Sequence, residues 1–240
     1  MASLRLATLG MMVLFGSCRA GATVFTLVNK CSYTVWPGTL SGSGSSVLGE
    51  GGFTLAPGQS VPLTASSGWS GRFWGRTDCS FDASGKGSCI TGDCGNVLNC
   101  AQAGGAPPVS LAEFTLGDKD FYDVSLVDGY NVPLSIAAVG GTGDCRTAGC
   151  VSDLRTSCPA ELSVTSNGQV IACKSACAAF STPEYCCTGD HGSPQTCSPS
   201  KYSQVFKSAC PTAYSYAYDD ATSTFTCSNA DYTITFCPSS

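Results

Sequence analysis

The chain has 240 residues, of which 12% are charged and 43% hydrophobic, with seventeen cysteines and a formal net charge of −5. The acidic balance excludes nucleic acid as a natural partner and argues against electrostatic attraction to anionic lipid. No apolar run approaches the eighteen residues that a membrane-spanning helix needs.

Residues 1–22 read as an export signal. Arg5 supplies a positive start, Leu6–Leu14 is apolar, and small residues follow, with cleavage expected after Ala20 or Ala22. Loss of Arg5 and Arg19 leaves ten basic residues against seventeen acids, a net charge of −7. Loss of Cys18 leaves sixteen cysteines, an even number in a chain bound for an oxidising compartment, so eight disulfides are expected. Zinc is the competing use for closely spaced thiols such as Cys89/Cys94 and Cys145/Cys150. Exported thiols oxidise, however, and His191 is the sole histidine, so no metal or other cofactor is expected. Adjacent Cys186 and Cys187 are expected to take separate partners, because a bond between them would strain the peptide. Spacing alone leaves about two million pairings open.

The first half reads as short strands separated by turns: Thr23–Asn29, Ser32–Trp36, Phe53–Leu55, Ser60–Thr64 and Trp69–Thr77. Ser41–Gly52 is a Gly/Ser loop. Ala56-Pro57-Gly58-Gln59 has the proline and glycine of a type II turn. Such regular spacing suggests a sandwich or barrel. In Leu111–Ile136 five acids (Glu113, Asp118, Asp120, Asp123 and Asp128) fall within a segment answered locally only by Lys119. Phe121–Val127 reads as a strand, Asp128-Gly129 as a hairpin turn and Tyr130–Ile136 as the return strand. Phe121, Asp123, Ser125 and Val127 then share one face, and Glu113 is in reach of it if the strands are neighbours. Carboxylates gathered on a rigid sheet suit a groove that binds or cleaves sugar. Beyond Ile136 cysteines crowd and alternation fades. Ser198-Pro199 reads as a helix start, followed by an apolar stripe of Tyr202, Val205, Phe206 and Ala209 and then Pro211.

Gly85–Cys100, GKGSCITGDCGNVLNC, closely resembles the signature of thaumatin-like proteins, the fifth group of plant pathogenesis-related proteins. It departs from that signature at Asn96, where a second glycine is usual; asparagine tolerates the left-handed backbone. NKCSYTVWPG, GRFWGRTDC, PPVSLAEFTL, DFYDVSLVDGYNVP, EYCC, CPTAYSYAYDD and TFTC are similar to further family segments, so the resemblance covers the whole mature chain. It implies a mainly β fold. Residues 23–76, 109–151 and 211–240 would form the sandwich, 77–108 a small disulfide-linked domain, and 152–210 a disulfide-rich loop/helix domain across a cleft. It also implies one connectivity: Cys31–Cys237, Cys79–Cys89, Cys94–Cys100, Cys145–Cys227, Cys150–Cys210, Cys158–Cys173, Cys177–Cys186 and Cys187–Cys197.

The chemistry the residues allow is carboxylate chemistry. There is no Gly-x-Ser-x-Gly elbow, phosphate loop or dinucleotide fingerprint, and His191 lies in a Gly/Asp/Pro-rich loop without a serine–acid pairing. In antifungal members of the family one arginine, one glutamate and three aspartates line the cleft, and by resemblance these are Arg72, Glu113, Asp123, Asp128 and Asp220. Asp219 adjoins the last of them. Phe114, Tyr122, Tyr130 and Tyr216 are candidates to stack on sugar faces, with core packing as the competing use. Three functions follow from the resemblance. The first is an antifungal defence protein binding β-1,3-glucan. The second is a weak endo-β-1,3-glucanase with Glu113 as acid and Asp128 or Asp123 as partner. The third is an inhibitor of a foreign hydrolase. Taste activity goes with a basic surface and is not expected here; allergenicity recurs among acidic relatives. A monomer is expected. Vacuolar members carry a C-terminal extension, and only Pro238-Ser239-Ser240 follow Cys237, so an extracellular, apoplastic destination is expected.

Overall fold

The computed structural model describes residues 21–239; the segment read as an export signal lies, but for its last two residues, outside the described residues. Thirteen strands follow one another: β1 (Thr23–Asn29), β2 (Trp36–Ser41), β3 (Ser60–Ala65), β4 (Ser70–Phe81), β5 (Gly87–Thr91), β6 (Leu111–Thr115), β7 (Asp120–Ser125), β8 (Leu134–Thr142), β9 (Ala148–Cys150), β10 (Ser163–Ser166), β11 (Gln169–Cys173), β12 (Ala213–Tyr214) and β13 (Phe225–Phe236). Four short helices lie late in the chain: α1 (Ala176–Phe180), α2 (Pro183–Cys186), α3 (Lys201–Ala209) and α4 (Asp220–Ser223).

The strands form two layers joined through β13. One layer runs β2-β4-β6-β7, with β12 added parallel to β7; the other has β1 between β3 and β13, with β8 and β9 beyond. β13 belongs to both. Its first residues, Phe225–Cys227, pair with β7, and from Ser228 onward it pairs with β8 and runs parallel to β1. Strands that switch sheets in this way make the corners of a sandwich. The space between the layers is filled by inward-facing aromatics. The Phe25 ring lies 4.7 Å from Phe114, 5.0 Å from Phe73 and 5.3 Å from Trp69, and Phe114 lies 5.1 Å from Tyr232. Phe114, Tyr122 and Tyr130 are all buried, so three of the four candidate stacking rings are core residues.

All eight disulfides form with the connectivity that the resemblance implies. Cys31–Cys237 joins residues 206 apart, a closure that stabilises by about 5 kcal/mol in the chain-entropy model. Cys186 and Cys187 do take separate partners, Cys177 and Cys197.

The structure corrects the sequence reading at four places. The second strand is β2, not Ser32–Trp36, and Phe53–Leu55 contributes only the isolated bridge of Leu55 to Val35. The α3 helix starts two residues later than expected. Ser200, not Ser198, caps it, its hydroxyl accepting from the Ser203 N–H while the Ser203 hydroxyl accepts from the Ser200 N–H, a reciprocal box that Ser198 cannot complete. The fourth correction is the hairpin. The Asp128-Gly129 turn is present, with the Gly129 N–H donating to the Leu126 carbonyl at φ +95°. Its flanks do not pair with each other. Tyr130 bridges to Cys173, and the Asn131 amide donates to the Gly75 carbonyl and to Thr91 Oγ1. Pro133 has no N–H to give, and the chain re-enters a strand only at Leu134, in the other layer, against β13.

Candidate functional site

The site is built on the outer face of β4, β6 and β7. Antiparallel register sets Arg72 opposite Glu113, and Glu113 opposite Asp123, so one row of side chains crosses three strands. Alternation forces this arrangement, because Phe73, Ala112, Phe114, Tyr122 and Val124 face inward and are buried. Trp74 and Leu111, also on the outer side, belong to a second buried cluster with Cys94, Cys100 and Val109. The charged row is what that cover leaves open. Arg72 Nη1 lies 3.8 Å from Glu113 Oε1, both side chains being about one-third exposed.

Loops bring in the other two acids. Asp128 stands in the tight turn after β7, where its backbone carbonyl accepts from the Val109 N–H. Asp220 opens α4, and its Oδ1 accepts from the Tyr214 hydroxyl at 2.9 Å. Tyr214 is on β12, opposite Ser125 of β7. The neighbouring Asp219 does a different job. It accepts from the Ser215 amide and hydroxyl and pairs with Lys207 Nζ at 2.9 Å, pinning the loop that carries Asp220. Asp120 points to the other side of β7, bonded to the Tyr232 hydroxyl and the Gly117 N–H.

Two cavities of 330 Å³ flank the row and share Arg72, Glu113 and Asp123 on their walls. One continues past Ser125, Asp128 and Tyr214. The other reaches Leu40 and Phe121, and the Phe121 ring is 47% exposed. Phe121 is a candidate stacking ring outside the four expected from the sequence; it lies two residues from Asp123 on one strand face, which is the signal that points to it. Of the four, Tyr216 alone is half-exposed and borders a cavity. His191 bonds to Thr196 within its own loop.

Burial pushes the Asp123 carboxyl up to about 8, with the charges of Glu113 and Asp220 adding to it, so it is largely protonated at neutral pH. One of its oxygens, Oδ1, is buried without a hydrogen-bond partner. Glu113 is raised by burial and by Asp128, and held back by Arg72. The arrangement is a protonated acid beside a carboxylate that an arginine favours in its charged form. Asp123 binds its proton far more tightly folded than at its ordinary value of 3.8. Folding stability therefore falls as pH rises from about 4 to about 8. Asp123→Asn is expected to match the parent near pH 4 and to exceed it at pH 8, where the partly solvated side chain limits the gain to about 1–3 kcal/mol. Thermal unfolding at the two pH values checks this; equal midpoints at pH 8 would mean that Asp123 ionises without cost.

A model of the thaumatin family matches residues 29–238. The chain belongs to the thaumatin family. It is 99% identical over 240 residues to the pathogenesis-related thaumatin-like protein 3.5 of Cryptomeria japonica, covering 100% of both chains. It is 51% identical over 231 residues to a glucan endo-1,3-beta-glucosidase of Prunus avium, covering 93% of each. Among solved structures, the thaumatin-like xylanase inhibitor shares 25% identity at a TM-score of 0.50, with 89% of this chain and 99% of that chain covered. The family fold and its eight disulfides fit an extracellular protein.

Proposed function

We propose that the chain is a defence protein of the plant apoplast that binds β-1,3-glucan of fungal walls along the Arg72–Glu113–Asp123 row, with Asp128 and Asp220 at its edge. The observation that carries this reading is the row itself, Arg72, Glu113 and Asp123 side by side across three strands, with a cavity of 330 Å³ on either side. A neutral glucan suits the site electrostatically. Its hydroxyls donate to the carboxylates and accept from Arg72, and it carries no charge for the chain's acidity to repel. Phe121 offers an apolar face for a sugar ring beside those contacts.

A second reading, weak endo-β-1,3-glucanase, takes support from the raised carboxyl of Asp123 beside Glu113 and from the name of the Prunus avium relative. Residues directly opposed on antiparallel strands have Cβ atoms roughly 4.5–5.5 Å apart, so Glu113 and Asp123 can reach one glycosidic bond together. In this reading Asp123 donates the proton and Glu113 is the nucleophile, the reverse of the roles expected from sequence. Inhibition of a foreign hydrolase draws support only from the xylanase inhibitor's kinship. Insoluble β-1,3-glucan is expected to pull the purified protein from solution while laminarin gains no reducing ends above the buffer rate. Failure of the folded protein to sediment with the polymer would remove the glucan reading.

A further inference from the structure

We propose that the groove ends in a separate binding pocket for a small apolar ring bearing a hydroxyl group. Past Asp128 lies a third cavity, of 260 Å³, which shares Val127, Asp128 and Ala217 with the acidic one. Its character is different. Ala176, Phe206, Tyr185, Tyr216 and the Cys177–Cys186 disulfide form an apolar surface between the 175–206 segment and the turn after β7. Phe206 is 2% exposed and packs into the main core, so this wall is rigid.

The serine hydroxyls of the pocket already have partners. Ser175 Oγ accepts from the Ala178 N–H at the start of α1. Ser200 and Ser203 are locked together in the cap of α3. The Ser215 hydroxyl donates to Asp219. Asp128 and the Tyr185 and Tyr216 hydroxyls are the exceptions: none makes a hydrogen bond or ion pair among the described residues, and Asp128, the one charged group of the three, sits where the two cavities meet. A hexose placed here would lose water from hydroxyls around its whole rim with only Asp128 and two phenol hydroxyls to receive them, at about 1–3 kcal/mol for each hydroxyl left unpaired. An apolar ring loses nothing by the same transfer and gains from leaving water. Size points the same way. A dry cavity of roughly 150 Å³ takes up benzene, whereas pockets for drug-sized ligands run to about 300–1,000 Å³. The pocket therefore fits one six-membered ring with a short arm, and Asp128 accepts from a hydroxyl on that arm. The class is monocyclic aromatic or alicyclic alcohols, free or as the apolar end of a larger molecule.

Benzyl alcohol is the probe. Titrated into methyl-labelled protein, it is expected to shift the Ala176 and Ala178 methyl signals to saturation. Asp128→Ala should weaken it about tenfold, to the level of toluene, which lacks the hydroxyl. Ala178 and Ala217 are both exposed at the mouth, so Ala178→Trp and Ala217→Leu should leave the fold intact and each weaken binding by at least about tenfold. Shifts that never saturate, or saturating shifts that both mouth variants leave unchanged, would overturn the proposal. So would laminaribiose moving the same two methyls in preference to benzyl alcohol, which would make the pocket one more sugar subsite.

Discussion

Arg76→Met is expected to lower stability by about 3–5 kcal/mol, which for a chain of this size moves the unfolding midpoint down by roughly 6–20 °C. Arg76 is wholly buried, yet among the described residues no carboxylate pairs with it directly. Four backbone carbonyls take the place of a counter-ion: Trp36 receives Nε at 2.9 Å, Val97 receives Nη1 at 2.9 Å, and Pro37 and Leu98 receive Nη2 at 3.2 and 2.7 Å. Nη1 also lies 3.2 Å from the sulfur of Cys94. All five donor positions of the guanidinium are thus in use. Burial nevertheless pushes its pKa down to about 10, with the charge of Asp93 working the other way. Methionine has similar length but no donor, so it would strand four carbonyls that belong to two different segments, β2 and the 94–100 loop. Arg76→Lys should recover part of the loss, since an ammonium keeps the charge but cannot reach as many carbonyls. Hydrogen exchange should show the 94–100 amides opening first, although Cys94–Cys100 still closes that loop. A midpoint for Arg76→Met within about 2 °C of the parent would mean that the carbonyls find water instead.

Arg76 also shows where reading the sequence stops. GRFWGRTDC identifies a strand bearing two arginines, but nothing local says that Arg72 faces the groove while Arg76 is sealed beneath the 94–100 loop. Alternation puts both on the same face of β4, and only the loop packed over one end separates them. The same limit explains the missed pairing after Asp128. The dipeptide does form its turn, since glycine supplies the positive φ locally. Which strand follows is settled by β13, nearly one hundred residues away, and by the Asn131 amide reaching across to Gly75 and Thr91. Local chemistry carried further elsewhere. The type II turn at Ala56–Gln59 forms, with the Gln59 N–H donating to the Ala56 carbonyl and Gly58 at φ +77°. Asn96 takes the left-handed backbone at φ +63°, its N–H bonded to Asp93. For the groove, alternation alone placed Phe121, Asp123 and Ser125 together. The choice between Asp219 and Asp220 needed the partners, Lys207 and Ser215 for one and Tyr214 for the other.

Substituting the two central acids separately is expected to divide binding from cutting. Glu113→Gln keeps the size and hydrogen-bonding reach of the side chain but removes its charge and its proton site. If the row only holds sugar, β-1,3-glucan binding should weaken by roughly 1.5–3 kcal/mol, the worth of a hydrogen bond to a charged group, and Glu113→Ala should be worse still. Asp123→Asn should then change binding less, because the acid it replaces is already largely uncharged at neutral pH. If instead the pair cleaves glucan, both substitutions should cost roughly 10²–10⁴-fold in hydrolysis with binding nearly intact. The pH profile would separate the roles. A proton donor at Asp123 loses activity as pH rises through about 8, and a nucleophile at Glu113 loses it as pH falls through a value above the ordinary glutamate range. A bell between those limits that loses its alkaline limb in Asp123→Asn would assign the acid directly. We expect the binding outcome, with Glu113→Gln the more damaging of the two. Rapid laminarin cleavage by the pure parent protein, abolished in both variants while each still sediments with insoluble glucan, would make the groove an active site.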